Sequence, residues 1–290
     1  MNREVIEVDL VPVPYFVMGE GEPVIMFHLP TSSRHCFSRN TGELAKHFKV
    51  ILVDLRPAVI LKMWQAKGMT LMDYLESVLL SFMDQMGLER ATLIGGHKAG
   101  ALAMYLTARN PGRVSKLVLY ETLGLSRSPS RAPVFKIIFL FIKLPGVPLL
   151  GRVRWIRRLV KWLDLHGVGQ WRVGQFFGPT EPTDKFTRTR HLVEIYNTFL
   201  RPPDIFAYEV MISTIRNLDY SVVDPLIEKI SSKTLMVFGG GKYSQPEPIR
   251  EQYRRLIKEV EIVVVPDARV YPNFEQAADI NRKTVEFLTQ

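Results

Sequence analysis

The sequence predicts an α/β fold: a mostly parallel sheet with helices on both faces and a helical segment inserted into it. Three observations predict this. Short, near-continuous apolar runs recur at Pro23–His28, Val50–Asp54, Ala91–Ile94, Lys116–Tyr120, Lys233–Phe238 and Glu261–Val265. Runs of about four to eight such residues suit strands buried on both faces. Helical patterns alternate with them, which is the order of a parallel sheet covered on both sides. From Ser126 to Arg201 the alternation stops, and only proline-punctuated helical patterns remain.

Taken in order, Val5–Val17 alternates with prolines and reads as one or two edge strands. After the turn Gly19–Glu22 comes the first buried run, then a polar loop from Leu29 to Arg39 and a short helix over Thr41–His47. The second buried run precedes a helix opened by Thr70, with Asp73 completing a variant capping box. Leu71, Leu75, Val78, Leu79, Phe82 and Met86 form its apolar stripe, and Gly87 ends it. The third run leads into a helix over Ala101–Arg109, stopped by Asn110-Pro111-Gly112, and the fourth ends before Glu121. The alternation resumes near Ile215, with helices expected over Pro248–Lys258 and Asn273–Leu288. Residues 1–123 and 215–290 therefore form the core domain. Residues 124–214 form a helical lid, placed over the carboxyl ends of the strands, where such sheets bind ligands.

At 47% hydrophobic and 23% charged, 290 residues are ordinary globular material. The single cysteine, Cys36, excludes an internal disulfide, and no Cys/His spacing suggests zinc. No cofactor motif is present. With no signal-peptide pattern visible at the start, a reducing, cytoplasmic setting is expected. The net charge of +9 has one source: Arg127–Arg172 holds ten Lys or Arg and one acid, Asp164, so the rest of the chain is neutral. Within it, Val134–Leu144 is too short to span a bilayer, which takes about 20 residues. The next helical pattern sets Val153, Ile156, Leu159, Val160 and Leu163 on one face and Arg154, Arg157, Arg158 and Lys161 on the other, with Trp155 and Trp162 a heptad apart. This composition suits an amphipathic helix on an anionic membrane, or a lid with solvated arginines. Residues 134–163 are thus expected to contact a membrane surface or a membrane complex, through Arg154, Trp155, Arg157, Arg158, Lys161 and Trp162. Nucleic acid is excluded, because the apolar content is too high for a solvated groove.

The stretch Leu93–Ala101, Leu-Ile-Gly-Gly-His-Lys-Ala-Gly-Ala, has a strand, a tight glycine turn and a helix in succession. That is the frame of a nucleophile elbow, where G-x-S-x-G presents a serine. Here His97 holds the serine's place. Around it stand Val24–His28 followed by Leu29-Pro30, then Asp54-Leu55-Arg56, Ala108–Leu119, and Val265–Ala268 followed by Pro272–Glu275. On these residues the chain resembles the α/β-hydrolase fold superfamily over nearly its whole length. The resemblance implies triad positions at His97, Lys242 and Val270, with Arg269 just before the last, and none carries a triad residue. It also implies an oxyanion hole from the backbone N–H groups of Lys98 and Leu29. In some members, haloalkane dehalogenases among them, the acid follows the strand that here ends before Glu121.

Each candidate has a bland alternative. An elbow residue usually has φ > 0, which histidine tolerates, so His97 either merely fits the turn or acts as a neutral base or hydrogen-bond partner. Lys98 and Lys242 add positive charge to the cleft or point to solvent. Glu121 is a functional acid or a helix cap. His28 is expected to be a structural histidine; His35, His166 and His191 lie in loop or lid. With three departures from Ser-His-Asp, the expectation is a pseudo-hydrolase, without classical serine-hydrolase activity. It would bind an apolar or anionic small molecule, or a partner, in the former active-site cleft. The alternatives are a lyase, cyclase or isomerase using His97 and the residual oxyanion hole, and a scaffold subunit docked on a membrane complex through its basic lid.

Overall fold

The computed structural model describes residues 3–8, 10–29, 34–55, 63–64, 66–122, 124–125, 155, 217–241, 244–266, 268–269 and 271–290. Most of the inserted segment, with Arg154, Arg157, Arg158, Lys161 and Trp162, lies outside the described residues, as do Lys242 and Val270.

Each apolar run forms a strand. In chain order these are β1 (Arg3–Val8), β2 (Val11–Met18), β3 (Pro23–His28), β4 (Lys49–Asp54), β5 (Ala91–Gly96), β6 (Val114–Tyr120), β7 (Lys233–Gly239) and β8 (Val260–Val265). They make one sheet in the order β1-β2-β4-β3-β5-β6-β7-β8. β2 runs antiparallel to both its neighbours, and every other pairing is parallel. The prolines predicted an edge for Val5–Val17, and they sit on β2 opposite β1, the outermost strand. β7 and β8 extend the same sheet, so the chain on both sides of the insert builds a single core.

The strand period of two divides the side chains cleanly. Ile25, Phe27, Ile51, Val53, Leu93, Leu117, Leu119, Met236 and Phe238 face one way, under the helices Leu71–Gln85, Lys98–Arg109 and Glu247–Leu256. Val24, Met26, Val50, Leu52, Ile94, Val118, Leu235 and Val237 face the other way, against Phe37, Leu44 and Phe48 and the closing helix Ala277–Thr289. The expected capping box is present: Asp73 N–H donates to Thr70 Oγ1 at 3.1 Å, and that hydroxyl donates to Asp73 Oδ2 at 2.6 Å. The closing helix differs from expectation. Gln276, at φ −124° and ψ 52°, is not helical, so a single turn, Pro272–Glu275, precedes the long helix. That break lets Asn273 and Glu275 turn inward, where both are buried.

Candidate functional site

The carboxyl ends of β3, β5, β6 and β7 lie side by side in the middle of the sheet. Phe27 pairs with Gly95, and Gly96 with Tyr120. Leu29 and His97 therefore leave adjacent strands at the same level, with Glu121 beside them.

β5 ends in a sharp turn. His97 has φ 51° and ψ −118°, and the helix Lys98–Arg109 starts at the next residue. A non-glycine residue with positive φ is strained and persists only where its surroundings hold it. The His97 N–H donates to Tyr120 O at 2.9 Å, and Thr122 Oγ1 donates to His97 O at 3.5 Å. Gly95 is required here: a Cβ would stand 2.8 Å from Ala99 O and 3.0 Å from Gly100 N. Expectation and structure agree that the elbow frame is built, with His97 at its apex.

The imidazole is neutral. Burial, with a contribution from the Lys98 ammonium, lowers its pKa to about 3. The sequence pointed to the helix dipole; the largest cause in the structure is burial. Nε2 is inaccessible and has no hydrogen-bond partner among the described residues. The ring of Tyr271 packs edge-on against it, with centroids 4.3 Å apart and planes at 65°. Lys98 is half-buried, and burial brings its ammonium down to about 8. A positive charge thus lies at the elbow. Leu29 is buried at the end of β3.

Glu121 turns away from the imidazole. It too has positive φ, 45°, and its carboxyl ties β6 to the chain after β7. Oε2 accepts from Gly239 N–H and Oε1 from Gln245 N–H, both at 2.8 Å. Burial raises its pKa to about 8, against those two bonds. In the structure it is a buried clamp between the end of β6 and the chain after β7. His28 is the structural histidine expected, with Nε2 3.4 Å from Asp54 Oδ1 and Nδ1 3.2 Å from Leu29 O. Trp155 is 66% exposed. Among the described residues no group of three His, Cys, Asp or Glu could hold a metal, and no helix is long and apolar enough to cross a membrane.

Sequence reasoning missed the residues that hold the chain after β8. Glu275 accepts from Arg269 N–H and Tyr271 N–H, each at 3.1 Å to Oε1. Asn273 Nδ2 donates to Cys36 O at 3.0 Å and Asn40 Oδ1 at 3.1 Å, while Asn40 Nδ2 donates to Asn273 O at 2.8 Å and Asn281 Oδ1 at 2.7 Å. The available signal was three asparagines and a glutamate at positions that a regular helical face would fill with apolar residues.

No family model matches the chain. Among curated proteins it is 25% identical over 277 residues to the 2-hydroxy-6-oxononadienedioate/2-hydroxy-6-oxononatrienedioate hydrolase of Comamonas testosteroni, covering 93% of this chain and 88% of that one. It is 23% identical over 285 residues to the 2-hydroxy-6-oxo-6-phenylhexa-2,4-dienoate hydrolase of the same organism, covering 96% and 91%. The crystal structure of the enol-lactonase from Burkholderia xenovorans LB400 superposes with a TM-score of 0.72 at 18% identity, covering 99% of this chain and all of that one. The fold is the α/β-hydrolase fold. The expectation of a non-hydrolytic protein, whether binder, lyase, cyclase, isomerase or scaffold, is overturned by these relatives, which are named as hydrolases over almost their entire length. It was drawn from three side chains, whereas the strained turn belongs to the main chain and is kept.

Proposed function

We propose that this chain, with its α/β-hydrolase fold, is itself a hydrolase, and that it works at the elbow without a Ser-His-Asp triad. The observation that carries the reading is His97: a neutral imidazole at positive φ on a built nucleophile turn, in a chain whose curated relatives are hydrolases. The substrate is a carbonyl compound bearing a carboxylate, of the oxo-acid class named for those relatives. The Lys98 ammonium supports an anionic substrate at this place.

The step needs only water. His97 takes a proton at Nδ1, Nε2 being inaccessible, from a water molecule as the water oxygen bonds to the acyl carbon. The oxyanion that forms accepts from the backbone N–H groups of Lys98 and Leu29. Collapse breaks the bond from the acyl carbon to the leaving group, and the leaving group takes the proton back from the imidazolium. Burial makes His97 a weak base, and by the same cause its imidazolium a strong acid. That favours the second half of the reaction, where a poor leaving group such as an enol carbanion must be protonated.

Purified protein is assayed on a panel of oxodienoates, enol lactones and simple esters. Turnover of at least one oxo acid is expected, with kcat lowered at least about 100-fold by His97→Ala, the ordinary size of a general-base contribution. Fluorophosphonate should leave the rate unchanged, since no serine stands at the elbow. Absence of turnover across the panel, or full activity in His97→Ala, overturns the reading. For the basic segment 134–163 we propose a contact with an anionic membrane surface, tested by flotation with phosphatidylserine vesicles; it fails if binding is absent or ignores charge-removing changes at Arg154, Arg157 and Arg158.

A further inference from the structure

The imidazole at the elbow makes no cap bond to the helix beneath it and no hydrogen bond at Nε2 among the described residues; the contact shown for its ring is aromatic. That contact comes from the chain after β8, the edge strand of the sheet. After β8 the chain returns so that the Tyr271 ring meets the His97 ring edge-on, with centroids 4.3 Å apart. Aromatic pairs in this geometry are favourable beyond the area they bury.

Tyr271 is itself held from several directions. Its N–H and that of Arg269 donate to Glu275, one helical turn further on. Arg269 O accepts from Ser244 Oγ at 2.5 Å, and Ala268 O accepts from Gly241 N–H at 3.0 Å, which fastens the segment to the chain after β7. On the other flank, Asn273 and Asn281 bind Asn40, and through Asn40 and Cys36 the segment is bound to the chain after β3. This is far more polar bonding than a surface connection needs. It converges on one residue, whose ring meets the imidazole edge-to-face at the elbow.

We propose that Tyr271 is a positioning residue for His97: its ring fixes the imidazole in the elbow and keeps water from the buried Nε2, and Glu275 fixes Tyr271. The inference builds on the hydrolytic reading, since it says how that site is kept ready. The charged neighbour felt by His97 is Lys98 on the elbow helix; Cys36 and Glu275 face the Tyr271 phenol, whose proton is held more tightly by burial first and by those two groups after.

The experiment follows the His97 ring nitrogens by NMR through a pH titration of the full chain, in wild type, Tyr271→Phe, Tyr271→Ala and Glu275→Gln. Wild type and Tyr271→Phe should keep a neutral imidazole down to about pH 4. In Tyr271→Ala the ring is hydrated, and its midpoint should rise by at least one unit, a tenfold easier protonation; Glu275→Gln should fall between. An unchanged midpoint in Tyr271→Ala, or an equal shift in Tyr271→Phe, overturns the proposal. Should Tyr271→Ala fail to fold, Tyr271→Ser, which also opens the ring to water, must show the same rise or the proposal is wrong. This readout needs no turnover, so an inactive wild type defeats the hydrolytic reading and leaves the titration to decide the role of Tyr271. Where turnover is present, Tyr271→Ala should lower kcat about tenfold or more with KM little changed, and Tyr271→Phe should restore it.

Discussion

The chain after β5 and the chain after β8 meet at the same imidazole and hold it in different ways. After β5 the constraint is main-chain geometry. A strand ends, a residue is forced to φ 51°, and a helix begins at once. Small residues make that possible, because nothing larger leaves room for the turn. After β8 the constraint is side-chain bonding: Glu275, Asn273 and Asn281 gather a segment without regular structure and press Tyr271 onto His97. The first device tolerates any residue that bears positive φ, so a serine's place can hold histidine while the backbone stays the same. The second depends on particular side chains, so its content can change without trace in the apolar pattern.

The largest test breaks the first device. Gly95→Val would drive a branched side chain into the backbone of Ala99 and Gly100, which cannot yield. The expected outcome is loss of folded protein, or destabilisation beyond about 3 kcal/mol, the upper end of overpacking costs. Gly112→Ala, in the turn before β6, has nothing within 4 Å of the new Cβ and serves as the control. Thermal melts of the two separate a close approach of backbone from a mere preference for glycine.

The second device should break at a smaller cost. Glu275→Ala leaves the N–H groups of Arg269 and Tyr271 without their acceptor. Each unsatisfied donor costs about 1–3 kcal/mol when fully buried, and these are part-buried, so about 2 kcal/mol in all is expected by urea titration. A loss near zero would mean that the asparagine network alone holds the segment, and the contrast between the two devices would move from Glu275 to Asn273.

How much of this could be read in the sequence follows the same division. The strands were readable because burial on both faces demands apolar runs, and the elbow because Gly95 and Gly96 stand just before His97. The neutrality of His97 was readable in direction but not in cause, since burial by Tyr271 is a long-range contact. Glu121 was visible as an acid at a strand end; its role as a clamp on Gly239 and Gln245 was not, because its partners are backbone groups that any sequence supplies. Function was misjudged for a related reason. The side chains at His97, Lys242 and Val270 were given more weight than the main chain that survives their replacement.

The smallest effect probes the imidazole where the two devices meet. In the unfolded chain a histidine takes a proton below about pH 6.5. In the fold, burial holds His97 to about 3, so between those values the unfolded state binds the extra proton. Stability therefore falls as pH drops through that window, and none of this cost is present above it. By pH 5 it amounts to about 2 kcal/mol, since one unit corresponds to about 1.4 kcal/mol and pH 5 lies about 1.5 units below the unfolded value. His97→Gln carries no such proton, so the stability difference between wild type and variant should change by that amount between pH 7 and pH 5. Glu121 works in the opposite sense. Its carboxyl keeps a proton up to about pH 8, so the folded state binds the extra proton from about 4.5 upward, and its contribution grows as pH falls. Both proteins share Glu121, so it cancels in the difference and leaves His97 alone. In Tyr271→Ala the same difference should shrink, because a hydrated imidazole titrates nearly as it does in the unfolded chain. Parallel curves for wild type and His97→Gln would show that Tyr271 does not shield the ring.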